Sequence, residues 1–466
     1  MNQHLHLPNK DMVHLSTQLL EKYSVTIPRY TSYPTVPEWI EGFTKEDLIS
    51  ANDIANKKKT PISLYFHLPF CESHCYFCAC NVIISKKKEI RNSYLDHIKK
   101  EIQNLSKLIS NSRNVEQIHF GGGTPTYFSP YELEKFYNVI KESFNLAKGC
   151  EIGIEIDPRV TTSEHLKVLS RLGFNRLSMG IQDFDLNVQQ AINRIQPYKE
   201  TKEIFALARE YGFNSINVDL IYGLPFQTKD SFSSTINLIL QLNPERIALF
   251  HYAHLPQLLN HQAKYINEQA LPTSNTKIEI FQHAVKELTE SSYTFIGLDH
   301  FAKPSDELAK ARINKTLHRN FQGYTTRASC DLYGFGITAI SSVQNSYFQN
   351  IKKLNQYYET IDSNEYPLLR GIILNKDDLM RKEIIMKILC HGAVDKKEIE
   401  EKYNINFDSY FSFELERLRE LEKDGLILSP QIEVTKTGQF FLRNIASVFD
   451  LYLQKKTGKR IYSKTV

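Results

Sequence analysis

Four cysteines fall within ten residues, at Cys71, Cys75, Cys78 and Cys80, in a stretch that reads CESHCYFCACN. The first three are spaced C-x3-C-x2-C. Thiolates held this closely on one loop can each ligate one iron of a cubane cluster, and three protein ligands leave the fourth iron open to something that is not protein. A zinc knot normally uses two C-x2-C arms or paired histidines. No second arm exists here, because Cys150, Cys330 and Cys390 stand alone.

Two further stretches could bind a ligand. Phe120-Gly-Gly-Gly-Thr-Pro-Thr126 has glycines that let a ligand approach the backbone and offers free amides to a carboxylate. It is neither a dinucleotide fingerprint, since Thr126 stands at the sixth position, nor a phosphate-binding loop, since no Lys follows. Glu155 ends an apolar run, where a carboxylate can accept ribose hydroxyls or an ammonium, or simply a strand-end salt bridge.

The elements that must position these residues follow a repeat. Apolar, β-branched runs at 62–68, 115–120, 152–156, 176–181, 215–221 and 246–252 alternate with helical patterns at 93–109, 130–144, 163–172, 200–211 and 229–242. Such alternation predicts a parallel sheet with helices outside. Polar residues gather at the strands' C-terminal ends, at Glu155, Gln182, Asp219 and Tyr252, as they do around the mouth of a (β/α) barrel. Six units are too few to close an eight-fold barrel. Another helix is expected at 274–291 and one more strand at 294–302, with 318–345 as loop and strand near the same mouth.

Before this repeat, residues 1–45 form an arm with one amphipathic helix at 13–23 and the proline-bracketed segment Pro28-Arg-Tyr-Thr-Ser-Tyr-Pro-Thr35. Residues 46–370 are expected to be the barrel and its extension. From 371 to 466 the chain becomes charged and helical (377–390, 396–403, 408–424), with a two-stranded wing at 426–428 and 431–435 and a closing helix at 438–453. That order suggests a winged helix. The helix before the wing carries as much acid as base, which favours packing or a lid over DNA.

Composition sets outer limits. With 466 residues, 41% apolar and 24% charged, the chain is ordinary for two or three domains; a net charge of +4 is too slight to argue for nucleic acid, and no nucleic-acid partner is expected. No basic leader and no run of about 18 apolar residues occurs, so a cytoplasmic protein is expected. Seven cysteines, four of them adjacent, suit a cluster in a reducing compartment better than disulfides.

The cysteine spacing followed by the glycine turn resembles the radical S-adenosylmethionine (SAM) superfamily, in which SAM chelates the open iron. Within it, Tyr65-Phe-His-Leu-Pro-Phe-Cys71, Cys80, Gly121-Gly-Gly-Thr-Pro-Thr-Tyr127, Asn175 to Asp183, Asn217 to Pro225, Tyr252-Ala-His-Leu-Pro256, Asp299-His-Phe-Ala302 and His318 to Thr326 resemble the oxygen-independent coproporphyrinogen III oxidase family. The resemblance extends from Pro28 through the C-terminal helices. Phe120 stands where Trp is common, and Ala79 where Gly often sits.

This resemblance implies an α/β fold: an open three-quarter (β/α)6 barrel with an N-terminal arm over the active site and a winged-helix-like C-terminal domain. It implies a [4Fe-4S] cluster on Cys71, Cys75 and Cys78, and two SAM molecules. The first is contacted by Tyr65, Gly122 and Glu155, the second by Phe77, Gly123, Thr124, Gln182, Arg194, Asp219, Ala253 and Ile340. Cys80, which as a fourth ligand would close the iron that SAM needs, takes an active-site role with Gln322. Arg29, Tyr30, Tyr33 and Arg319 are candidates for the substrate's carboxylates. In the family's reaction an electron from the cluster cleaves SAM to methionine and a 5′-deoxyadenosyl radical, which takes a hydrogen from a propionate β-carbon. Loss of CO2 and an electron then leaves a vinyl group, twice over. The partners implied are coproporphyrinogen III and a reducing donor such as a flavodoxin, acting on a monomer. The related haem-binding chaperone branch typically lacks both the fourth cysteine and the R-Y-T-S-Y-P arm, and both are present here. A DNA-binding iron–sulfur regulator would leave the barrel and the SAM motifs unexplained.

Overall fold

The computed structural model describes residues 16–455 and Tyr462. Six parallel strands make its centre: β1 (Ile62–Leu68), β2 (Val115–Gly122), β3 (Leu146–Ile156), β4 (Arg176–Gln182), β5 (Ser215–Tyr222) and β6 (Arg246–His251). Helices α1 (Lys88–Ser106), α2 (Pro130–Ser143), α3 (Ser163–Arg171), α4 (Tyr198–Glu210), α5 (Lys229–Leu242) and α6 (Ser274–Glu290) follow them in turn. The helix starts are fixed locally. Ser129 with Glu132, Thr162 with His165 and Thr228 with Ser231 form reciprocal capping boxes at α2, α3 and α5.

The segment expected as one strand at 294–302 is a hairpin, β7 (Thr294–Gly297) and β8 (His300–Ala302), and β8 runs antiparallel to β6. Its turn uses Leu298 at φ +49°, between Gly297 at φ +150° and Asp299. On the far side β9 (Asp331–Phe335) pairs in parallel with β1, followed by antiparallel β10 (Ile340–Val343), β11 (Ser346–Asn350) and β12 (Leu368–Ile373). The sheet order is β12-β11-β10-β9-β1-β2-β3-β4-β5-β6-β8-β7. Among the described residues no ladder joins its two ends, so the barrel is open.

The sheet's two faces differ in kind. Outward residues such as Leu64, Phe66 and Ile118 are fully buried, and Phe66 stacks on Phe335 and meets Phe136 of α2 edge-on. Each fully buried large apolar side chain stabilises by about 1.5–3 kcal/mol. The inward face carries Tyr65, His67, His119, Glu155, Ser178, Asn217 and Asp219, every second residue along its strand. At the strands' N-terminal ends this interior is floored by ion pairs: Arg176 with Glu151 (3.4 Å) and Glu307 (2.6 Å), and Arg246 with Asp306 (3.0 Å) and Glu307 (3.0 Å). Polar residues therefore occupy both ends of the strands, not the mouth alone. Tyr252 lies one residue beyond β6.

A second apolar core belongs to the C-terminal segments. Helix α8 runs over Lys376–His391, after α7 (Leu354–Asp362), and is followed by helices at Lys396–Tyr403, Phe407–Tyr410 and Ser412–Lys423. A three-stranded sheet joins Ala393–Val394, Ile432–Val434 and Ile427–Leu428. The expected helix at 408–424 breaks at Phe411, and the one at 438–453 breaks into a 3-10 turn (Gly438–Phe441) and two short helices.

The arm's helix is Thr17–Tyr23, and positions 13–15 of the expected helix lie outside the described residues. Leu20, Tyr30 and Tyr33 pack into this second core. Tyr30 donates to Asp450 (3.0 Å), and the Tyr33 hydroxyl accepts from the Leu451 amide (3.2 Å). Both phenols, expected at the mouth, are instead sealed against the C-terminal helices, because a buried hydroxyl is stable only where a polar partner waits.

Candidate active site

The cysteine loop leaves β1 and is braced on three sides. Phe70–Cys71 pairs in parallel with Ile83–Ile84, closing the loop at its base. The glycine turn after β2 locks beneath it, with Gly123 N donating to Leu68 O and Thr124 N to Phe70 O, both at 2.9 Å. A Cβ at Gly123 would stand 2.6 Å from the Pro69 carbonyl, and Gly122 holds φ +114°, so neither position accepts a side chain without moving the loop. From the third side, His261 Nε2 donates to Cys78 O (2.8 Å), and Gln262 Nε2 donates to the carbonyls of Phe77 and Ala253 (3.2 Å each).

Cys71, Cys75, Cys78 and Cys80 are all free thiols lining one cavity of about 260 Å3. Among the described residues no three His, Cys, Asp or Glu side chains gather as tightly as a single metal ion requires. A cubane takes one thiolate at each of three irons, and the wider ring of thiols fits that group. Cys75 Sγ is approached by Arg159 Nη2 and Arg194 Nη1, each at 3.7 Å. The hydrogen bond from Cys80 draws the Cys78 thiol down to about 7, and the same contact pushes Cys80 well up. Cys80 is exposed, its surface open to the cavity.

Gly122, Gly123, Thr124, Glu155, Gln182, Arg194, Asp219 and Phe77 line the same cavity. Glu155 accepts from Gly122 N (3.2 Å) and faces His119 Nε2 (3.4 Å). Asp219 accepts from Asn217 (2.8 Å) and Ser178 (3.3 Å); burial, then the Glu155 charge, pushes its carboxyl up to about 6. Gln182 ends β4 at φ +70°, a strained conformation of the kind that clusters at sites.

Glu155 is a shared wall. On its other side Tyr65, Gln322 and Ile340 line a second cavity of about 280 Å3 with His67 and His119. His67 Nε2 lies 3.1 Å from Asn81 O, which can only accept, so Nδ1 is left to accept from the Tyr65 hydroxyl at 3.1 Å. Burial holds this imidazole neutral. Ala253 lines neither cavity and is tied to the loop only through Gln262.

Of the expected substrate contacts, Arg319 is 4% exposed, stacks over Tyr324 and leaves Nε and Nη1 without a hydrogen-bond partner among the described residues. Gln322 Nε2 is likewise buried and unpartnered. Arg29 pairs with Asp299 (3.3 Å) and donates to His251 O (3.4 Å). Tyr30 and Tyr33 reach neither cavity.

The sequence reading missed Asp157 and Arg159. Asp157 lies between Arg159 (2.6 Å) and Arg194 (2.9 Å). Burial alone would push its carboxyl up, but the two guanidiniums outweigh it and hold it at about 2. The signal was there, since Asp157 follows Glu155 by two and so shares its face of the chain.

Residues 65–239 match the radical SAM superfamily. An oxygen-independent coproporphyrinogen III oxidase of Synechocystis sp. is 46% identical over 97% of this chain and 98% of its own length. The Helicobacter pylori protein of the same name is 45% identical over 96% and 98%. Among solved structures, the coproporphyrinogen III oxidase of Escherichia coli, described as a radical SAM enzyme, superposes with a TM-score of 0.90 at 41% identity, covering 95% of this chain and 100% of that one. With that identity sustained from end to end, the chain belongs to the oxygen-independent coproporphyrinogen III oxidase family of the radical SAM superfamily.

Proposed function

We propose that the chain oxidatively decarboxylates two propionate side chains of coproporphyrinogen III to vinyl groups, giving protoporphyrinogen IX in oxygen-independent haem biosynthesis. The observation that carries this reading is one cavity lined by four free thiols and by Glu155 and Asp219, in a chain so closely related to enzymes of that name.

Cys71, Cys75 and Cys78 would hold a [4Fe-4S] cluster, with two SAM molecules beside it. When bound, this pair supplies the one-electron chemistry that removes a hydrogen atom from the substrate. The protein's own task is to position and to exclude water. Arg159 and Arg194 donate towards Cys75 and hold the loop on Asp157. Glu155 and Asp219 are acceptors for hydroxyls or an ammonium. Tyr65, fixed by His67, and the unpartnered Gln322 face the second cavity. Arg319 presents buried N–H groups suited to a carboxylate.

On this reading residues 46–370 are the catalytic unit, 1–45 the arm and 371–466 a packing domain. The protein acts as a cytoplasmic monomer fed by a reduced carrier such as a flavodoxin. No described helix is long and apolar enough to cross a membrane. The test is anaerobic turnover of the reconstituted protein with dithionite, SAM and coproporphyrinogen III. Protoporphyrinogen IX and CO2 are expected, and SAM cleavage without CO2 release would sink the reading.

A further inference from the structure

Five exposed lysines lie beside the cysteine loop in two groups: Lys86, Lys87 and Lys88, and Lys352 and Lys353. Both groups are tied to the loop. Ile84, in register with Cys71, precedes Lys86 by two residues, and Asn81 Nδ2 donates to Lys352 O at 3.3 Å. Among the described residues none of the five ammoniums has a carboxylate within ion-pair reach. Glu89, Asp96 and Glu359 are the nearest acids in sequence.

The two groups meet because α1 and α7 lie side by side in the same direction. Tyr94 packs on Tyr357 (5.9 Å between rings), His97 on Tyr358 (3.9 Å), and Lys100 pairs with Asp362 (2.6 Å), so successive positions on one helix meet successive positions on the other. Their starts therefore lie within about one turn of each other, α1 beginning about 5 Å earlier. Lys87 is the N-cap of α1 and Lys353 the N-cap of α7, and neither side chain caps its helix. A cation at a helix start opposes the helix dipole, and a Lys there forgoes the hydrogen bond that Ser or Asp would make. Two adjacent helices both accept this cost at the edge of the cysteine loop. Exposed Ile84 adds an apolar spot beside them.

We propose that this lysine face is the docking surface of an acidic one-electron carrier protein, which delivers the electron to the cluster held by Cys71, Cys75 and Cys78. The inference rests on the cluster assignment above. One electron leaves the reduced carrier and enters the cluster; no bond is made or broken. Positive charge arrayed around the entry point steers an acidic partner and raises its on-rate, an effect that falls with salt.

The test is the variant Lys87→Glu/Lys353→Glu in the reconstituted enzyme. Glutamate suits a helix start, so the fold should not suffer. Binding of an acidic flavodoxin, measured by calorimetry at low salt, should weaken about ten-fold or more and lose its salt dependence. Cluster content and dithionite-driven turnover should stay at the parent level. Unchanged carrier affinity overturns the proposal. So does a parallel fall in dithionite-driven turnover, which would give the lysines to the substrate. A parent enzyme inactive with dithionite yet still binding the carrier through these lysines would fault the function, not the surface.

Discussion

The Tyr30 phenol donates a 3.0 Å hydrogen bond to the Asp450 carboxylate, joining positions 420 residues apart in a site closed to water. Removing the donor leaves a buried carboxylate short of a partner, so Tyr30→Phe should cost about 1–3 kcal/mol of stability. Denaturant unfolding reads this directly, and SAM affinity should not change. Deleting residues 1–35 is the cruder experiment, because it also takes Leu20 and Tyr33 out of the second core. Lost turnover in Tyr30→Phe at full stability would instead make the phenol a substrate contact.

Each of Cys71→Ala, Cys75→Ala and Cys78→Ala should abolish the cluster's visible absorption and the uptake of about four irons per chain. Cys80→Ser should keep both and impair decarboxylation. Iron loss in that variant as complete as in Cys75→Ala would show that Cys80 is a ligand.

Asp157→Asn breaks a buried charge cluster and leaves Arg159 and Arg194 facing each other. The expected cost is about 3–5 kcal/mol, together with faster cluster loss. The folded carboxyl sits at about 2, below its ordinary 3.8. Its stabilising share is therefore present above pH about 4 and disappears as pH falls towards about 2. A variant whose acid unfolding matches the parent's would remove Asp157 from this role.

Asp219 carries the opposite sign. Its carboxyl is raised from 3.8 to about 6, so the folded state binds the extra proton between those values, and stability falls as pH rises through that window. Asp219→Asn should flatten that slope in the apoprotein and stabilise it at pH 8, while SAM binding weakens roughly ten-fold, as loss of a charged hydrogen bond implies. Unaltered SAM affinity would take Asp219 out of the cofactor site.

Arg319→Met removes a buried cation with two unpartnered N–H groups. The unliganded protein should be no less stable, whereas KM for the tetracarboxylate should rise about ten-fold, as loss of a charge-assisted hydrogen bond implies. Destabilisation without a KM effect would mark Arg319 as structural.

Much of this architecture was legible because the strand and helix periods differ and the cysteine spacing is specific. What escaped has physical reasons. β3 begins at Leu146 rather than 152 because Lys148-Gly149 interrupts its apolar pattern. The β7–β8 hairpin looked like one strand because its turn at Gly297-Leu298-Asp299 is short and centres on an apolar Leu within an apolar run. Asp157 and Arg159 were not singled out, since only the fold brings Arg194 to them. The partners of Tyr30 and Tyr33 lie too far along the chain for any local pattern to reveal.

The floor of ion pairs formed by Arg176, Arg246, Glu151, Asp306 and Glu307 makes the open barrel a cup rather than a tube. Cofactor and substrate would then share the mouth as their route. A bulky tetrapyrrole seated at the rim would trap what lies beneath it, so cofactor has to load first and spent cofactor can be exchanged only when the rim is clear. Initial-rate kinetics should then show compulsory order, with excess tetrapyrrole inhibiting by corking the empty cup.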